Sequence, residues 1–137
     1  MSGPKIKKLS RTVVITLTDG SQIEGDVFLR LYSQSHDSVQ RLGELLNDDE
    51  NLFIPVKTAH GASATLLNMD HIVSVKTERQ TETDERMMVG NSHVVSIKTF
   101  TQESLKGNIY IDLPSDNCRA KDFFNQNLKF FPLFQED

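Results

Sequence analysis

The sequence predicts a mainly β protein made of two small-barrel repeats, the second truncated, each carrying a short inserted helix. Three observations carry that expectation. β-Branched and apolar residues alternate with polar ones at a two-residue period. An Asp19-Gly20 pair between the first two such runs is a strong hairpin signal. Three sequence blocks then recur in the same order further along the chain, as a duplicated supersecondary unit requires.

Each element has its own local reason. Residues 11–18, RTVVITLT, are β-branched and apolar, and the turn at Asp19-Gly20 follows them. Over 22–32, Ile23, Gly25, Val27, Leu29 and Leu31 fall on one strand face, with Glu24, Asp26 and Arg30 on the other. Phe28 and Tyr32 interrupt the polar face, which points to partial cover of the outer surface. Gly25 in mid-strand suggests a bend or a close backbone approach. The period then changes: Val39, Leu42, Leu45 and Leu46 recur at helical steps, with Asp37 or Ser38 placed to cap and Asn47-Asp48-Asp49 to end the helix. NLFIPVK, 51–57, returns to strand, and Pro55 implies an edge position or a bulge. After a loop through His60-Gly61-Ala62, ATLLN and HIVSVKT read as a strand pair joined tightly at Met69-Asp70.

Residues 79–91 are mostly charged and polar, and are read as a linker between a first repeat, 11–78, and a second, 92–137. Met87, Met88 and Val89 form a short apolar patch there, to brace the next strand or meet a partner. Val13-Val14-Ile15 and Ile23-Glu24-Gly25-Asp26-Val27 match Val95-Ser96-Ile97 and Leu105-Lys106-Gly107-Asn108-Ile109 at a shift of 82. Arg41-Leu42-Gly43-Glu44-Leu45-Leu46-Asn47 matches Arg119-Ala120-Lys121-Asp122-Phe123-Phe124-Asn125 at 78, and Phe53-Ile54-Pro55-Val56 matches Phe130-Phe131-Pro132-Leu133 at 77. The second copy lacks a counterpart of the 64–77 segment, so one strand edge must be closed by the first repeat or by another chain.

Leu, Ile, Val and Phe supply 40 of the 137 residues, well above the level at which chains stay disordered. The net charge of −4 divides into +4 over residues 1–12, −7 over 13–90 and −1 over 91–137. An acidic body makes nucleic acid an unlikely partner, because that binding rests on Lys and Arg neutralising phosphates. The basic leader, 1–10, is expected to be a mobile tail. No apolar run reaches about 18 residues, so no membrane span is expected. With no apolar signal segment in MSGPKIKKLSR and one cysteine, Cys118, a reducing, cytoplasmic location is expected.

The first repeat resembles the Sm-like fold, a short, strongly bent five-stranded barrel. The resemblance rests on Val14-Ile15-Thr16-Leu17-Thr18-Asp19-Gly20 with Ile23-Glu24-Gly25-Asp26-Val27, similar to the first Sm motif. It extends weakly to Leu66-Leu67-Asn68-Met69-Asp70-His71-Ile72-Val73-Ser74-Val75, placed like the second. It covers about residues 11–77 and a partial copy at 93–134. With its helical block, the chain is similar to bacterial Sm-like families that carry a helix between the middle strands. The RNA site does not carry over. The helical insert, 37–47, occupies the loop that holds the family's base-stacking residues, Asn68-Met69 replaces the second motif's Arg-Gly, and the bacterial chaperone's Tyr-Lys-His signature is missing.

Candidate chemistry is sparse, and no catalytic, cofactor or metal residue is assigned. His36, His60, His71 and His93 lie far apart, with no metal-ligand spacing. Cys118 heads the second copy's helix with no histidine near in sequence, as befits a structural thiol. Asp48-Asp49-Glu50 reads as a solvated turn, lacking the alternating ligands of a calcium loop. There is no Gly-rich phosphate loop and no nucleophile elbow. Arg41, Glu44 and Asn47 recur as Arg119, Asp122 and Asn125, either as intrahelical ion pairs or as a paired ligand site across a pseudo-twofold. Phe130, Phe131, Pro132, Leu133 and Phe134 form a candidate interface. The expected function is non-enzymatic: an assembly or adaptor module acting through strand edges and apolar patches, as a homo-oligomer or with a protein partner. The alternative is a ligand- or RNA-binding Sm-like protein.

Overall fold

The computed structural model describes residues 8–30, 41–58, 63–78, 90–99, 101, 103–111 and 129–135. The protein is mainly β, and it divides into two compact units, Met1–Glu78 and Arg79–Asp137.

The first unit holds β1 (Lys8–Leu17), β2 (Gln22–Arg30), α1 (Leu42–Leu46), β3 (Phe53–Thr58), β4 (Thr65–Asn68), a 3-10 turn (Met69–His71) and β5 (Ile72–Lys76). β1 starts inside the segment expected to be a mobile leader: Lys8, Leu9 and Ser10 pair with Arg30, Leu29 and Phe28. Its hairpin with β2 closes as the Asp19-Gly20 pair predicts. The Gly20 N–H donates to the Leu17 carbonyl and the Leu17 N–H to the Ser21 carbonyl, each at 2.9 Å. Gly20 takes a φ of 86°, the left-handed conformation that ends a three-residue hairpin loop.

The strands run β4-β3-β2-β1-β5, all antiparallel neighbours. This corrects the expectation that ATLLN and HIVSVKT pair with each other, because β4 pairs with β3 and β5 with β1. The correction explains the curvature. In a flat sheet the two edge strands would lie about 19 Å apart. The link from Asn68 to Ile72 spans at most about 14 Å, so the sheet has to curl. The 3-10 turn bridges the gap: the Met69 N–H donates to the Leu52 carbonyl before β3, and the Thr18 N–H after β1 donates to the His71 carbonyl, both at 2.9 Å. The Asn68 side chain accepts the Asp70 N–H at 2.9 Å and holds the turn. A register slip opposite Thr16 and Leu17 leaves Val73 as an extra residue, a bulge that adds twist. The result is a curled antiparallel half-barrel.

Alternation fills the inside of the curl. Val13 and Ile15, Val27 and Leu29, Ile54 and Val56, with Leu67, Met69 and Ile72, are buried. Gly25 sits where β3 crosses β2. A Cβ there would lie 2.7 Å from the Lys57 carbonyl oxygen, so the position excludes a side chain. Pro55 also fits its place. Counting from the bond between Met69 and Leu52, residues 54 and 56 bond to β4 and the Pro55 nitrogen faces the other way. On that side β2 pairs only with Lys57 and Thr58, so no ladder bond is lost.

The second unit contains the hairpin of β6 (Asn91–Lys98) and β7 (Ser104–Ile111), in unbroken register from Asn91↔Ile111 to Lys98↔Ser104. On the far side of β7, Asn108 and Phe134 exchange main-chain hydrogen bonds at 2.7 and 2.8 Å. Ile109 and Phe134 are buried, and Phe134 meets the Tyr110 ring edge-on at 5.4 Å. The expected second helix, including Cys118, Phe123 and Phe124, and the Met87, Met88 and Val89 patch lie outside the described residues.

Candidate functional site

The helix of the first unit is shorter than its periodicity suggests. Arg41 occupies the cap position, with β-region φ and ψ of −82° and 153°. The earlier caps, Asp37 and Ser38, lie outside the described residues. The Glu44 carboxylate accepts the Arg41 main-chain N–H at 3.2 Å, so it satisfies a donor that a helix start leaves open. Asn47 closes the helix, donating its N–H to the Gly43 carbonyl at 2.9 Å. Leu42 and Leu46, one turn apart, are buried, and Leu45 between them is half-buried. Arg41, Glu44 and Asn47 thus cluster at one short helix, while Arg119, Asp122 and Asn125 lie outside the described residues.

The chain then turns through Asp48, whose carboxylate accepts the Glu50 N–H at 3.0 Å. This turn and α1 stand beside the outer faces of β2 and β3, where the two strands part. Phe28, Arg30, Leu45, Asp48, Asn51, Phe53 and Pro55 line a groove of about 130 Å³ there. Small-molecule pockets begin at about 300 Å³, so the groove suits one inserted side chain better than a bound metabolite. It explains why the outer face of β2 carries Phe28.

An apolar strip continues from the groove to the sheet edge. Phe53 and Pro55 share the outer face of β3, and Leu66 lies opposite Pro55 on β4. Phe53 is 54% exposed, Leu66 65% and neighbouring Leu52 72%. Among the described residues β4 is an edge strand, so main-chain groups and apolar side chains are offered together. The sequence reading missed this strip. Its signal was the Leu66-Leu67 doublet, in which strand alternation buries only Leu67 and must turn Leu66 outward.

Titratable groups are scattered. The Ser21 hydroxyl and N–H donate to Asp19 at 2.6 and 2.9 Å, and hold its carboxyl below the usual range. His71 is exposed in the 3-10 turn; His36 and His60 lie outside the described residues. His93 is half-buried on β6, and its Nε2 is shielded from solvent without a hydrogen-bond partner. Among the described residues, no group of three or more His, Cys, Asp or Glu stands close enough to hold a metal ion. None of their helices is long and apolar enough to cross a membrane. Of the candidate interface in the tail, Phe134 is buried, Phe130, Phe131 and Leu133 are half-buried, and Pro132 is exposed. The chain matches no family model, no curated protein and no solved structure.

Proposed function

We propose that this protein is a non-enzymatic assembly or adaptor module that engages protein through strand edges and apolar patches. The observation that carries the reading is the strip of Phe53 and Leu66, both more than half exposed, beside a strand that has one partner among the described residues and a groove sized for a side chain. Burying such side chains at a contact is worth about 1.5–3 kcal/mol each, and an edge strand adds main-chain hydrogen bonds in fixed register.

The proposal includes an Sm-like small barrel for the first unit and descent of the second from a copy of it. A five-stranded curl with its edges joined through a 3-10 turn supports the first part. For the second, the hairpins share one register: Val13↔Gly25 and Ile15↔Ile23 correspond to Val95↔Gly107 and Ile97↔Leu105. Gly25 is crossed by the Lys57 carbonyl, and Gly107 by the Phe134 carbonyl, 2.5 Å from where its Cβ would be.

The test is the native mass of the full chain by light scattering, with single-stranded RNA binding measured alongside. A mass above the 15.5 kDa of one chain, lowered by Phe53→Asp with Leu66→Asp at unchanged circular dichroism, is the expected result. RNA binding no tighter than micromolar at physiological salt should accompany it. A single-chain mass with nanomolar, salt-sensitive RNA binding overturns the proposal in favour of the RNA-binding alternative.

A further inference from the structure

Among the described residues, the second unit carries a strand edge whose counterpart in the first unit is paired. In the hairpin of β1 and β2, the Leu17 N–H donates to the Ser21 carbonyl. Antiparallel alternation then turns the main-chain groups of Val14 and Thr16 away from β2. There they meet β5, in the pairs Val14↔Lys76 and Thr16↔Ser74. The second hairpin has the same phase, because the Thr99 N–H donates to the Glu103 carbonyl at 2.9 Å. The N–H and C=O groups of Ser92, Val94, Ser96 and Lys98 therefore face away from β7. Among the described residues no strand other than β7 pairs with β6.

The defences of this edge are confined to Lys98 at its end. Proteins blunt open edges with Lys, Pro, inward charges or bulges. From Ser92 to Ile97 the strand has no charged residue and no proline, and its register with β7 is unbroken. Val94, near the middle of the strand, is 70% exposed.

From these observations we infer that β6 pairs antiparallel with β6 of a second copy of this chain, about a twofold axis near Val94 and Val95. The inference rests on the assembly reading above and names its partner. One twofold contact fills the β6 edges of both copies at once. It brings the two Val94 side chains opposite each other, or two residues apart on the same face, and covers part of both. It also sends the two Lys98 side chains, the only charges on either strand, to opposite ends of the joint sheet.

The experiment compares native masses of the full-length chain in four forms: wild type, an edge variant, the Phe53→Asp/Leu66→Asp variant and their combination. Val94→Pro deletes an N–H that faces the open edge, so the ladder to β7 is left intact. Val94→Lys is the second edge variant; it leaves the main chain alone and defends the edge by charge. Both should lower the mass about twofold, at unchanged far-ultraviolet circular dichroism. A mass unmoved by Val94→Lys but lowered by Phe53→Asp/Leu66→Asp overturns the β6 contact and leaves the assembly reading standing. A single-chain wild-type mass at tens of micromolar overturns both.

Discussion

Substituting alanine for Gly25 would place a methyl carbon 2.7 Å from the Lys57 carbonyl oxygen and 2.8 Å from Val56 Cγ1. Two opposed effects set the outcome. Alanine restricts the unfolded chain, which favours folding by about 0.4–1 kcal/mol. Against that, forcing a methyl group into a filled position costs about 1–3 kcal/mol. The upper half of that range applies, because the nearest atom is main chain and cannot swing aside. Lys57 is held from both sides, by Asp26 across the β2 ladder and by the run of β3 residues paired to β4. The expected net loss is therefore about 1–2.5 kcal/mol, with β3 displaced from β2. Urea unfolding followed by circular dichroism measures it, and a lower midpoint at unchanged slope is the expected form. An unchanged or raised midpoint would refute the claim that close main-chain approach, and not turn geometry, demands glycine at this position.

Three further outcomes are expected. Leu46→Ala should cost about 2–5 kcal/mol, since Leu46 is 6% exposed and anchors α1; a urea shift equivalent to under about 0.5 kcal/mol would show that the helix does not pack on the sheet. Asp19 has a lowered carboxyl pKa, so its support of the turn is present above the ordinary carboxylate value and disappears as pH falls through the lowered one. Asp19→Ala should lose less stability than wild type over that acid window, and parallel melting curves down to about pH 2 would refute the assignment. His93→Leu should stabilise the second unit by about 1 kcal/mol, because it removes a shielded nitrogen that has no partner; a lower melting temperature would reveal an unseen bond to Nε2.

How far the sequence is legible depends on the range over which each signal acts. Asp19-Gly20, the alternation through Val27 and Leu29, and the place of Gly25 act over a few residues and appear in the structure as read. Partnership of β4 and β5 is different. Met69-Asp70 looks like a tight hairpin link, yet the chain uses those residues to cross from one sheet edge to the other. Nothing local distinguishes the two, because the choice belongs to the curl of all five strands. The helix start shows the same limit: Arg41 can serve as cap because Glu44 accepts its N–H, a pairing that does not require the usual capping residue.

Exposure at a strand edge obeys a stricter rule, and that rule connects the two surfaces proposed here. Once a hairpin's closing bond is known, parity fixes which main-chain groups every strand residue turns outward, and alternation fixes which side chains stand on the outer face. For β4 the reference is the bond from Met69 to Leu52, and it turns the main-chain groups of Leu66 away from β3. For β6 it is the bond from Thr99 to Glu103, and it turns Val94 outward. Both are apolar residues at positions where a monomer would be expected to place lysine. A one-residue slip of either hairpin would send Leu66 or Val94 inward and bring a core residue to the surface. Burial of Leu67 on one hairpin and Ile109 on the other shows that no such slip has occurred. The exposed pair therefore follows from the registers that build the two cores, and covering it requires a surface from outside each sheet.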